Sequence, residues 1–102
     1  MSYGSTLEIL ADPTRRTIVE KLRLGPATVQ AIADELPVSR PAVSKHLKLM
    51  LEAGVVRMET NGTRHFYEID LKKIDEVRRY LDSFWDASLQ RYKEAAERKG
   101  TR

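Results

Sequence analysis

From Asp70 to about Lys99 nothing in the sequence breaks a helix, and this run constrains the fold more than any other feature. Ile74, Val77, Leu81, Phe84, Trp85, Ser88, Tyr92 and Ala95 recur at three- and four-residue steps, the spacing of one helical face. Such a helix is roughly 40 Å long at about 1.5 Å per residue. A domain of ~100 residues has a radius of gyration of only about 13 Å. The far end must therefore leave the globule, and Phe84, Trp85 and Tyr92 are expected to stay exposed unless a second chain covers them. The same rings could line a ligand cavity, but at helical spacing an interface is the expectation.

Punctuation divides the rest of the 102 residues, which suffice for one domain and not two. Ser5 to Leu10 forms a short helix with Leu7 and Leu10 on one side. Asp12 followed by Pro13 is an N-cap with proline at the first helical position, and Gly25-Pro26 ends the helix that carries Ile18, Val19 and Leu22. Thr28 caps a third helix, whose Val29, Ile32, Ala33 and Leu36 follow the apolar helical rule. Pro37 ends it and Ser39 caps the next, leaving a turn of about three residues, the connection of a helix-turn-helix. Pro41 is tolerated in the first turn, and Gly54 supplies the stop. "VVRMETNGTRHFYEI" then alternates around Asn61-Gly62, a strong hairpin signal. A turn at those two residues pairs Glu59 with Arg64, Met58 with His65 and Val56 with Tyr67. The predicted fold is mainly α with a small β-hairpin: a winged helix-turn-helix with a long C-terminal dimerisation helix. One domain covers residues 1–102, with the helix-turn-helix at about 28–53, the wing at about 55–69 and terminal dimerisation helices at about 5–10 and 71–98. Leu7, Leu81, Phe84, Trp85 and Tyr92 are the candidate dimer contacts.

Net charge is +3, too small to name a partner, but it is unevenly spread. Between Arg40 and Lys48 stand three basic residues and no acid. Projected at about 100° per residue, Val43, His46, Leu47 and Met50 share one arc, while Arg40, Pro41, Ser44, Lys45 and Lys48 share the opposite one. In a helix-turn-helix the second helix enters the major groove, where Arg and Lys donate to guanine and Ser reads donors or acceptors. An acid there would repel phosphate. A solvated face normally mixes signs, so DNA recognition is the expected role. The alternative is a winged-helix protein–protein interaction module that never reads DNA, which predicts an apolar or mixed arc. Thr28 is first a cap; with Gln30 it also opens a helix suited to a backbone phosphate. Arg15 and Arg16 either meet phosphate or form a solvated, salt-bridged face.

"ADPTRRTIVEKL", "VSRPAVSKHLKLMLEAGVV", the "NGTRHFYEID" wing and "FWDASLQRYKEA" resemble the ArsR-type winged helix-turn-helix repressors, from about Leu7 to Ala96. The resemblance is strongest to small members without a metal site. It implies a homodimer that binds operator DNA as a repressor, with Ser39, Arg40, Ser44, Lys45 and Lys48 on the DNA and Arg64 reaching the flanking backbone or minor groove. Leu51 departs from the pattern, standing near the basic arc where relatives usually carry a charge. Lys45 occupies a position that varies in the family, so no operator sequence follows from it.

Family metal sites use cysteines in the helix before the turn, or Asp/His and His/Glu pairs on the last helix. There is no cysteine in the chain, and the last helix has acids but no histidine. Zinc needs three or four converging ligands, so no metal and no other cofactor is expected. His46 is expected to be packed and hydrogen-bonded, and His65 to lie near Met58 or against phosphate. Ser44 and His46 are two apart on a helix and point away from each other, which removes the one nucleophile–base candidate. Neither a signal peptide nor a membrane span is evident, and a cytoplasmic protein is expected.

Overall fold

The computed structural model describes residues 2–100; Met1, Thr101 and Arg102, which the single-domain expectation includes, lie outside the described residues. Five helices and a hairpin follow in the order α1 (Ser2–Ala11), α2 (Pro13–Leu22), α3 (Val29–Asp34), α4 (Arg40–Glu52), β1 (Val56–Asn61), β2 (Arg64–Ile69) and α5 (Leu71–Gly100). The expected fold class stands. The first helix is longer than expected, running on both sides of Ser5–Leu10.

Helices α2 to α5 each start where a side chain relieves an unpaired amide. Asp12 accepts from the Arg15 N–H at 3.0 Å, Thr28 from Ala31 at 3.1 Å and Ser39 from Ala42 at 3.3 Å. Asp70 accepts from Lys72 at 3.0 Å and opens α5. The helix ends are equally specific. At the end of α4, the Gly54 N–H reaches the Leu51 carbonyl (3.0 Å) and the Val55 N–H reaches Met50 (2.9 Å). Those two bonds form a Schellman stop, and Gly54 takes the φ of +78° that it requires. α3 stops at Asp34, earlier than Leu36, because the residue before Pro37 is driven out of the helical region. Glu35 and Leu36 close it with tight bonds to the Ile32 and Ala33 carbonyls.

The core lies between α2, α3, α4 and the hairpin. Ile18, Ile32, Val43, Leu47, Met50 and Val55 are fully buried, with Ile9, Leu22, Ala27 and Val56 beside them. Leu51 packs against this cluster, so the departure from the family pattern serves the core. His46 is half-buried as expected, but its buried Nδ1 has no hydrogen-bond partner, which corrects the expectation of a bonded histidine. It lies near enough to Asp12 for its charge to act on that carboxylate.

The hairpin register also differs from the expected one. Asn61 pairs with Arg64, Thr60 with His65, Glu59 with Phe66, Met58 with Tyr67 and Val56 with Ile69. The tip is therefore Gly62-Thr63. Among the described residues only glycines have positive φ, Gly62 at +67° among them, and a turn centred on Asn61-Gly62 would force Asn61 there too. The opposite-charge pair is Arg57–Glu68, 3.1 Å apart, in place of Glu59–Arg64. His65 still meets Met58, its Nδ1 lying 3.0 Å from the sulfur across the diagonal.

Arg15 and Arg16 sit under the end of α1, a helix with no basic residue in its own last turn. Arg15 donates through Nε to the Ile9 carbonyl (3.1 Å), and Arg16 donates to Leu10 (3.1 Å) and Ala11 (3.3 Å). Both guanidiniums cap orphan carbonyls. α1 also packs on the first turns of α5, where Val77 is 6% exposed. From Leu81 onward every described α5 side chain is exposed.

Two stability outcomes follow. Gly54→Ala should cost about 1–2 kcal/mol, because Cβ is disfavoured at this φ; it would also push Lys73 Cε, 2.9 Å away. An unchanged urea midpoint would contradict the Schellman stop. Asp12 is the second case. The Arg15 N–H donated to its carboxylate holds the Asp12 pKa below the usual value, with the Arg15 and His46 charges adding to the effect. A depressed folded pKa contributes stability above the unfolded value, and that contribution disappears as pH falls through the folded one. The stability gap between wild type and Asp12→Ala should be full near neutrality and narrow steadily below about pH 4.

Candidate nucleic-acid interface

α4 is built so that its two sides cannot exchange roles. Val43, Leu47 and Met50 have no exposed surface, and their burial turns Arg40, Pro41, Ser44, Lys45 and Lys48 outward, all exposed. Among these outward residues there is no acid; Glu52 comes only in the last turn. Neither Arg40, Lys45 nor Lys48 takes part in the described ion pairs, which fall on α2, α3, the hairpin and α5. Their charge is thus directed to solvent. Ser39 is exposed at the head of the helix, its hydroxyl oxygen occupied by the Ala42 N–H and its proton still free to donate.

Thr28 and Gln30 lie at the start of α3. Thr28 is the cap already described, and the Gln30 amide is engaged by the Asp34 carboxylate one turn on. Gln30 would have to break that bond to reach a phosphate. Arg64 opens β2 on the exposed edge of the wing, its guanidinium carbon 5.7 Å from the centre of the Phe66 ring. The wing is fastened to the helix-turn-helix by Val56, Tyr67 and Ile69, which pack on the core, and by a backbone bridge. Ala27 donates to the Tyr67 carbonyl (3.0 Å) and Tyr67 donates back to Ala27 (2.8 Å). Arg64 therefore belongs with Thr28 on one side of the molecule. Phe66, whose ring supports Arg64, was missed by sequence reasoning; its position two residues along the same strand face was the available signal.

The second surface is α5. Phe84 is 57% exposed, Trp85 67% and Tyr92 76%, and Leu81 and Leu89 are each more than half exposed. Leu7 of α1 is 36% exposed. Leu89 extends the expected stripe, from which Ser88 had displaced it. Phe84 packs edge-on against Tyr80, centroids 5.0 Å apart at 86°. The radius of gyration is 18.9 Å and the long axis 70 Å, against about 13 Å for a compact chain of this length. The accessible surface is 7440 Å², where a compact chain of 11.7 kDa would show roughly 5,900 Å². The excess is roughly 1,500 Å² on one chain, about twice the ~800 Å² that each partner buries in a standard protein–protein interface. Beside this stripe the helix is held by ion pairs of Arg78 with Asp75 and Asp82 and of Arg79 with Asp75. These arginines hold the Asp75 pKa below its usual value through their hydrogen bonds.

Among the described residues no three His, Cys, Asp or Glu side chains converge as a metal site would need. No described helix is long and apolar enough to cross a membrane.

A family model for a helix-turn-helix domain matches residues 10–59. A helix-turn-helix-type transcriptional regulator of Mycobacterium tuberculosis is 44% identical over 93 residues, which is 91% of this chain and 87% of that protein. The arsenical resistance operon repressor of Staphylococcus xylosus is 28% identical over 80% of this chain and 82% of its own. Among solved structures, an ArsR-like transcriptional regulator from Rhodococcus sp. RHA1 superposes with a TM-score of 0.77 at 28% identity, covering 93% of this chain and 92% of its own. These proteins are transcriptional regulators and not enzymes. The outward basic face of α4, the hairpin wing and the likeness over nearly the whole chain place it in the ArsR family of winged helix-turn-helix transcriptional regulators.

Proposed function

We propose that the chain works as a cytoplasmic homodimer that binds an inverted-repeat operator in double-stranded DNA and represses transcription. The observation that carries this reading is the acid-free, unpaired outward face of α4. Ser44 and Lys45 stand one turn inside the helix, where side chains reach base edges, and are assigned to sequence readout. Ser39, Arg40, Lys48 and Arg64 are assigned to phosphates and the groove flank, with Thr28 and Gln30 as backbone contacts at the head of α3. Readout needs no metal: the chain offers two histidines and no cysteine. His65 is turned to Met58. A protein-docking module would expose an apolar α4, and this one is polar and basic.

The partner in the dimer is a second copy, joined through Leu7, Leu81, Phe84, Trp85, Tyr92 and the adjoining Leu89. A face of rings and leucines of this extent has no stable place in water. The helical segments assigned to it, about 5–10 and 71–98, frame the reading unit at about 28–53 and the wing at about 55–69.

Fluorescence anisotropy with the DNA flanking its own gene, at two salt concentrations, tests the reading. Lys45→Ala or Ser44→Ala should relax sequence preference and cost roughly 1–3 kcal/mol per half-site. Lys48→Ala should weaken specific and random DNA alike and reduce the salt slope by about one unit for each phosphate no longer neutralised. Ser44 and Lys45 variants with unchanged affinity and preference would remove α4 as the reader. Separately, replacing Phe84 and Trp85 together with serine should leave a monomeric or insoluble protein. Light scattering from a monomeric wild type at micromolar concentration would contradict the dimer.

A further inference from the structure

Between the end of α2, the head of α3 and the wing lies an open cleft of about 290 Å³, and the groups around it come from three separate elements. Lys21 enters from α2, Thr28 and Ala31 from α3 and its cap, and Arg64 and Phe66 from β2. The Thr28 oxygen already accepts the Ala31 N–H, which leaves its proton to donate outward. The Lys21 ammonium is paired with the Glu35 carboxylate, and its remaining N–H bonds are available to a second acceptor. Arg64 is the strongest donor, and it is not loose. Its guanidinium lies over the Phe66 ring, within the range of a cation–π contact. The two backbone bonds between Ala27 and Tyr67 fix the strand that carries both residues against the residue preceding Thr28.

We propose that this cleft seats one backbone phosphate of bound DNA, and that Phe66 is the positioning residue that keeps Arg64 in it. The inference rests on the DNA-binding reading and adds Lys21 and Phe66 to it. An exposed arginine carries much rotamer entropy, and ordering it on binding weakens the contact it makes. The Phe66 ring holds the guanidinium before DNA arrives and leaves its N–H edge free for phosphate oxygens. Glu35 partly neutralises Lys21, so Arg64 carries the larger share of the site.

The test is anisotropy of the full chain with a specific and a random duplex over a series of salt concentrations. Phe66→Leu should weaken both duplexes about two- to fivefold, the range of an exposed cation–π contact, while Phe66→Tyr stays at wild type. In an Arg64→Gln background Phe66→Leu should add nothing. Arg64→Lys, an exposed change that leaves the fold alone, keeps the charge and loses the stacked plane, so it should lose as much as Phe66→Leu. Lys21→Gln should flatten the salt slope by less than one unit. Equal losses for Phe66→Leu and Phe66→Tyr, independent effects of the two positions, or wild-type binding by Arg64→Lys would each overturn the proposal. A wild type that binds DNA while Phe66→Leu changes nothing ends this inference alone. A wild type that binds neither duplex ends the DNA-binding reading beneath it.

Discussion

The rest of the structure depends on the burial of one side of α4. Val43, Leu47 and Met50 are removed completely from water, and each such side chain contributes roughly 1.5–3 kcal/mol. Because residues on a helix are locked in angle, this burial alone determines what the other side shows. Ser44, Lys45 and Lys48 are outward because their neighbours are inward. The caps at Ser39 and Gly54 then set the length of the helix, so the polar side begins and ends at defined residues. Ile18 and Ile32 on the adjoining helices close the same core. Stability and surface chemistry are therefore two consequences of one pattern.

Much of this was legible in the residues. The caps at Asp12, Thr28, Ser39 and Asp70 were readable because a side-chain acceptor at a helix start has one dominant local use. The apolar arc of α4 was readable because helical periodicity needs no tertiary information. The hairpin register was not. The expected and observed pairings differ by two residues, a shift that leaves every side chain on the same face of the sheet. Alternation cannot distinguish them, and the choice fell to the turn, where Gly62 and not Asn61 takes positive φ. Arg15 and Arg16 were ambiguous for another reason. Their targets are carbonyls on α1, which no local pattern on α2 reveals. The bare Nδ1 of His46 likewise depends on what packs across from it, not on its neighbours in sequence. The support of Arg64 by Phe66 lay between these cases, since a shared strand face was visible but the side-chain geometry was not.

In the proposed dimer, α5 ties the reading unit to its copy. Its first turns bury Val77 against α1, and beyond Leu81 it presents only exposed side chains. A helix anchored at one end and exposed along the rest would fix where a partner copy sits. In that dimer two α4 helices related by a two-fold axis would stand at one separation, set by α5 and not by the outward side chains of α4.

That separation is most directly measured by hydroxyl-radical footprinting of the full-length protein on its operator, with the stoichiometry determined in parallel. Two copies per duplex should protect an inverted repeat whose half-sites are centred about one helical turn apart, ~34 Å, or a whole multiple of that. A single protected half-site occupied by one chain would contradict it.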